Sequence, residues 1–112
     1  MDGIHVLLFL IFMHFLSDFV FQPRFLAENK GKSWFLMVVH CIIYTGSIYG
    51  VFYFVGQAFL WMIPVIYITH HIEDKWKCWM IEKHGIKMWY LYFDQTFHVV
   101  VIILLYFGSI SI

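Results

Sequence analysis

Charge is scarce in this chain. Of its 112 residues, 12% are Asp, Glu, Lys or Arg, about half the share of an ordinary soluble domain. With 62% drawn from AVILMFWYC, a free soluble monomer would leave a large apolar surface against water. Cysteine is sparse too: Cys41 and Cys78 lack C-x-x-C spacing, which excludes a zinc knuckle and a disulfide scaffold and leaves two reduced packing residues. Neither sign of charge is in excess, since seven basic residues balance seven acidic ones, and this argues against nucleic acid as a partner. Disorder, collagen and low complexity are excluded by the same composition. What is abundant is aromatic: 13 Phe, 7 Tyr and 5 Trp. The lipid bilayer is the expected solvent, and the length allows one domain.

A spanning helix needs about 20 mostly apolar residues. Residues 3–21 supply one. The run from Ser33 to Asp74 is about twice a span, so it must turn once, and Gly56-Gln57 is the place. The spans expected are 3–21, 33–55, 58–74 with an extension to about 84, and 88–112. The expected fold is all-α: a polytopic membrane protein, a four-helix transmembrane bundle made of two antiparallel hairpins. Pro23 stops the first span, Ser33 caps the second, Pro64 should kink the third and Gly85 should end it in a left-handed conformation. The first span has neither a positive n-region nor an A-x-A-like cleavage site, so it is expected to be retained rather than cleaved as a signal peptide.

Orientation follows from the cations. Arg24, Lys30 and Lys32 lie between spans one and two, and Lys75, Lys77, Lys83 and Lys87 between three and four. The positive-inside rule makes both loops cytoplasmic and puts both termini outside. Trp34, Trp76, Trp79 and Trp89 flank the same loops, as interfacial aromatics do. Such a protein belongs in an inner membrane.

Ionisable residues inside a span are costly and face the bundle interior, so they mark function by default. His14 and Asp18 are four apart and share a helix face. His70 and Asp74 repeat that spacing, Asp94 and His98 reverse it, and His40 adds a fourth helix, while Gln22 extends the first stripe by a turn. In an antiparallel hairpin, residues at equal depth have a constant sum of numbers. His70 with His98 and Asp74 with Asp94 share one sum, which places the turn beside Gly85; His14 with His40 places the other turn inside the Arg24–Lys32 loop. So His14, His40, His70 and His98 should form one layer, with Asp18, Asp74 and Asp94 about one turn nearer the cytosol. His14 to His70 and Asp18 to Asp74 share an offset of half the chain, a hint of a duplicated hairpin.

Four imidazoles and three carboxylates suit one or two divalent metal ions, with Zn, Mn and Fe all compatible with such ligands. Buried carboxylates without a counter-charge would be protonated, and two divalent ions would supply that charge. The bland alternative is that intramembrane His residues only bond neighbouring helices. His5 and His84 read as solvated, and His71 as an interfacial packing or substrate-contacting residue. Glu73 reads as an i,i+4 partner of Lys77. The lysines are chiefly topology determinants, although Lys30, Lys32 and Lys77 could attract an anionic head group.

The elements His14-x3-Asp18-x3-Gln22, Lys30, His40 with Tyr44, Thr69-His70-x3-Asp74-x2-Lys77 and Asp94-Gln95-x2-His98 resemble a domain-of-unknown-function family of small bacterial and phage membrane proteins. The resemblance covers about residues 8–104 and implies an integral-membrane fold without an assigned activity. A looser similarity, in the placement of His and Asp, is to bacterial inner-membrane proteins described as metal-dependent hydrolases.

Three functions are compatible with these residues. The first is a metal-dependent hydrolase opening to the cytosolic leaflet and acting on a phosphoester or lipid-like anionic substrate, with Gln22, Gln95 or Lys77 orienting or neutralising the developing anion. The second is a metal-ion or proton transporter, against which the outer halves of the spans are almost purely apolar. The third is a non-catalytic membrane protein with a structural metal or a partner-binding role. A homo-oligomer could complete a site that one chain leaves open.

Overall fold

The computed structural model describes residues 2–111, and among these the regular elements are all helices, joined by short turns. α1 spans Gly3–Phe15, α2 Arg24–Asn29, α3 Trp34–Phe54, α4 Met62–His84 and α5 Met88–Ser111. Gly3–Val20, Trp34–Phe54 and Met88–Ser111 are long and apolar enough to cross a membrane. At about 1.5 Å per residue, the 21 residues of α3 reach about 31 Å, the thickness of a hydrocarbon core. α4 is as long but carries Glu73, Asp74, Lys75, Lys77, Glu82 and Lys83.

Each helix ends for a local reason. Asp2 caps α1, its carboxylate accepting from the His5 backbone N–H at 3.1 Å. That bond and the His5 side chain hold the Asp2 carboxyl below its usual range. Ser33 caps α3 through its hydroxyl, which accepts from the Leu36 N–H. Gly56 and Gly85 both take φ of 78°, a conformation that glycine adopts without a Cβ penalty, and the Gly85 N–H closes α4 on the Ile81 carbonyl at 2.8 Å.

Four local features differ from expectation. α1 runs into a π-helical turn, Leu16–Val20, in which the Phe21 N–H reaches back to the Leu16 carbonyl at 2.8 Å. The first helical segment therefore ends at Val20, so Gln22 does not extend its stripe. The loop before α3 contains a helix of its own, α2. α4 begins at Met62 rather than near 58, because residues 55–61 form the turn. Pro64 consequently falls in the first turn of α4, where backbone N–H groups have no intrahelical partner anyway, and the expected kink has no cause.

The four long helices pack in a ring, with α3 and α5 each lying between α1 and α4. Along its axis the bundle has two compartments. At the end holding the termini, Val6, Leu10, Ile48, Phe52, Met62, Ile66, Ile102 and Leu105 form an apolar core. Toward the α2 and α4–α5 connections, His14, Asp18, His40, His70, Asp74, Asp94 and His98 are buried. The outer surface is apolar: Leu8, Phe12, Ile42, Ile68, Ile72, Leu104 and Phe107 are all more than half exposed, as bilayer-facing side chains are.

Candidate functional site

Helical period and hairpin geometry bring the four histidines to one depth. Ring centroids lie 5.6 Å apart for His14–His98, 4.3 Å for His98–His70 and 4.9 Å for His70–His40, a continuous chain across four helices. Tyr44 stacks on His70 at 3.7 Å and 10°, which fixes that ring from the other side.

The carboxylates divide into different environments. Asp18, placed by the π turn, sets Oδ1 at 3.7 Å from His40 Nε2 and 3.5 Å from His70 Nε2. The two imidazole nitrogens are themselves 2.9 Å apart. Ligands about 2.0–2.2 Å from a tetrahedral ion lie about 3.3–3.6 Å from one another, so Asp18, His40 and His70 present a metal-sized triangle. Asp18, Asp94 and His98 form a second group with converging donor atoms. Asp18 belongs to both.

Asp74 and His14 fall outside these groups. Asp74 Oδ2 lies 2.6 Å from Lys30 Nζ and 3.1 Å from His40 Nε2, and Oδ1 lies 3.3 Å from Lys77 Nζ. His14 accepts from the Tyr44 hydroxyl at Nδ1 (2.7 Å) and donates from Nε2 to Gln95 Oε1 (2.8 Å). The Gln95 amide nitrogen donates onward to Asp94 Oδ2 at 2.8 Å and Asp18 Oδ2 at 3.4 Å, so Gln95 links His14 to both carboxylates. Lys77 sits 2.9 Å from Asp94 Oδ2. Gln22, in contrast, donates to the Asp18 backbone carbonyl at 3.0 Å and stays on its own segment.

Two residues enter the cluster that spacing alone did not nominate. Glu73, expected to pair with Lys77, instead turns its buried carboxylate to His98 Nε2 at 3.1 Å, which also lies 3.1 Å from Asp94 Oδ1. Lys30, expected to be a loop charge, is 5% exposed because Gly31 lets the linker press against α4. A Cβ at Gly31 would come within 2.8 Å of Cys78 Cβ. The helical spacing of Glu73 from His70 was a usable signal, since i and i+3 share a face; Lys30 stood out only as an element of the family pattern and as a loop cation.

Lys30 and Lys77 also revise the charge argument. They supply counter-charge that two metal ions were expected to provide alone. The buried carboxylates of Asp18, Glu73, Asp74 and Asp94 are met by these two ammonium groups and by imidazoles, with His98 Nε2 at 3.1 Å from both Glu73 and Asp94. With the imidazoles neutral and all four carboxylates ionised, two negative charges would be left, which one divalent cation or two protons, on carboxylate or imidazole, would balance.

Residues 6–112 match the model of a family described as "Protein of unknown function (DUF3307)", and the chain belongs to that family. No curated protein and no solved structure matches it.

Proposed function

We propose, for this member of a family whose description assigns no activity, a metal-dependent integral-membrane hydrolase with its His/Asp centre near the cytosolic face. One observation carries this: two three-residue donor groups that share Asp18, within a buried cluster of four carboxylates and two lysines. Asp18, His40 and His70 would hold one ion; Asp18, Asp94 and His98 would hold a second. A divalent cation there supplies Lewis-acid polarisation of a phosphoryl oxygen and lowers the pKa of water. Lys77 and Gln95 would orient and neutralise a developing anion, and Glu73, beside His98, would hold a proton during the reaction. Zn, Mn and Fe all suit this donor set.

In the membrane, the four long helices would form a transmembrane bundle, with the α2 and α4–α5 connections cytoplasmic and the outer ends of α1 and α5 on the other side. Transport is the less supported alternative, because the core built from Val6, Leu10, Ile48, Phe52 and Ile66 closes the outer side of the cluster. A structural metal in a non-catalytic or oligomeric protein is distinguished by assay.

The test is metal content after purification in mild detergent and reconstitution with Zn²⁺, Mn²⁺ or Fe²⁺, for the wild type, Asp18→Asn and His70→Ala. The expected result is one or two ions in the wild type and loss in the variants. Less than about a tenth of an equivalent in the wild type would overturn the proposal. With metal bound, hydrolysis of generic phosphomonoesters or phosphodiesters supports the hydrolase; metal-dependent flux into liposomes without hydrolysis supports transport. A topology reporter fused after Ile112 that reads as cytoplasmic would reverse the orientation.

A further inference from the structure

The α3/α4 face carries two cavities outside the buried cluster. Near the α2–α3 linker, a cavity of about 160 Å³ is walled by Lys30, Lys32, Ser33, Trp34, His71 and Lys75 among others, with no carboxylate in its lining among the described residues. At about 30 Å³ per water, it has room for a phosphate and part of its hydration shell. Farther along the same two helices, a groove of about 500 Å³ is lined by Ile42, Gly46 and Tyr49 of α3 and by Ile63, Tyr67 and Ile68 of α4. The two adjoin: His71 of the first and Tyr67 of the second are one turn apart, with His71 Nδ1 3.3 Å from the Tyr67 hydroxyl. Gly46 leaves open space where a Cβ would project. The polar end is also the end where Trp34 is 78% exposed, as aromatics are at a membrane interface.

We infer that the α3/α4 face binds one anionic phospholipid, its phosphate in the Lys32–His71–Lys75 cavity and an acyl chain along the Gly46–Tyr67 groove. Charge and shape agree on this occupant, since a cavity lined by lysines and a histidine continues into a largely apolar groove at the depth where a head group joins its chain. A neutral lipid would satisfy the groove and waste the lysines; a free anion would satisfy the lysines and leave the groove open. Lys30 forms the inner wall of the cavity while its ammonium group lies 2.6 Å from Asp74. The phosphate would therefore rest one side chain from the buried centre, which names an anionic phospholipid as the substrate class if the hydrolase proposal holds. Binding itself needs no metal, so the two proposals can fail separately.

The test uses the full chain in dodecylmaltoside micelles, titrated with phosphatidylglycerol or phosphatidylcholine and read by native mass spectrometry, with metal content measured on the same samples. One phosphatidylglycerol should bind in preference to phosphatidylcholine. Lys32→Gln with Lys75→Gln should weaken it roughly thirtyfold, about fivefold per lysine near a lipid head group. Lys83→Gln with Lys87→Gln, equally basic but outside the cavity, should change it less than about twofold. Gly46→Leu should weaken binding by filling the groove, with circular dichroism confirming that each variant is folded. Equal binding of the two lipids, or equal loss in both lysine pairs, overturns the proposal as generic attraction. Displacement by millimolar inorganic phosphate together with no effect of Gly46→Leu would make the cavity a free-phosphate site and overturn it as well. Lipid binding by a protein that takes up no metal would sustain this inference and defeat only the hydrolase.

Discussion

Removing the ammonium group of Lys30 tests whether lysines hold this cluster together. Its Nζ lies 2.6 Å from Asp74 Oδ2, with the two side chains 6% and 1% exposed. At an effective dielectric of about 20, charges at that separation attract by about 6 kcal/mol. The desolvation of both ions opposes most of that gain. Replacing Lys30 by Met keeps the apolar stem but leaves the Asp74 carboxylate buried, and stranding one member of a buried pair costs about 3–5 kcal/mol. Lys77 Nζ, at 3.3 Å from Asp74 Oδ1, remains and attracts by about 5 kcal/mol on the same scale, so the loss should fall near about 3 kcal/mol. Unfolding in mixed micelles titrated with SDS measures it. The double variant Lys30→Met/Asp74→Asn should recover at least half of the loss, since no charge is then left unpaired. A cost below about 1 kcal/mol for Lys30→Met, or no recovery in the double variant, would show that the pair is solvated and would refute the reasoning. Metal content should not fall in Lys30→Met, because Lys30 contributes no ligand and its loss removes a positive charge from beside the site.

Asp18→Asn should abolish uptake at both donor groups, whereas His98→Ala should remove one of two ions; elemental analysis of the purified variants distinguishes the two. Tyr44→Phe keeps the ring stacked on His70 but leaves His14 Nδ1 without its 2.7 Å donor, and should lower unfolding stability by about 1–3 kcal/mol. Gly31→Ala should cost about 1–3 kcal/mol by overpacking, since its Cβ would meet Cys78 Cβ at 2.8 Å; Cys78→Gly should relieve it, and no loss in Gly31→Ala would refute that close packing.

The layer of histidines was legible in the residue numbers because it depends on two local regularities, the pitch of a helix and the turning point of a hairpin. His40, His70 and His98 meet within 5 Å centroid to centroid along the chain without any fitting of side chains. The π turn at Leu16–Val20 was not legible, because a single extra residue per turn leaves no periodic trace in a five-residue stretch. Pro64 shows a related effect: its consequence depends on where α4 starts, and residues 55–61 decide that by forming a turn longer than a Gly56-Gln57 bend. Glu73 and Lys77 have ideal helical spacing, yet each finds a better partner on α5, His98 and Asp94. Intrahelical pairs contribute only a few tenths of a kcal/mol, and a buried charge across the bundle outweighs them.

Composition, the scarcity of charge and the placement of what charge there is were sufficient by themselves for an all-helical, lipid-compatible chain with its polar residues gathered in one layer. Those properties depend on apolar area and helical period, which are sums over neighbours in sequence. Only the tertiary structure decided which buried residue is a candidate ligand and which is already occupied. Asp18 and Asp74 occupy equivalent positions in the sequence pattern, but Asp18 lies against two imidazoles while Asp74, besides one imidazole, is held by two lysines. That distinction arises because Lys30 is carried in by α2 and the close approach at Gly31. Its physical reason is distance: electrostatic partnership in a buried site turns on separations of 2.6 against 3.7 Å, set by side chains from different helices.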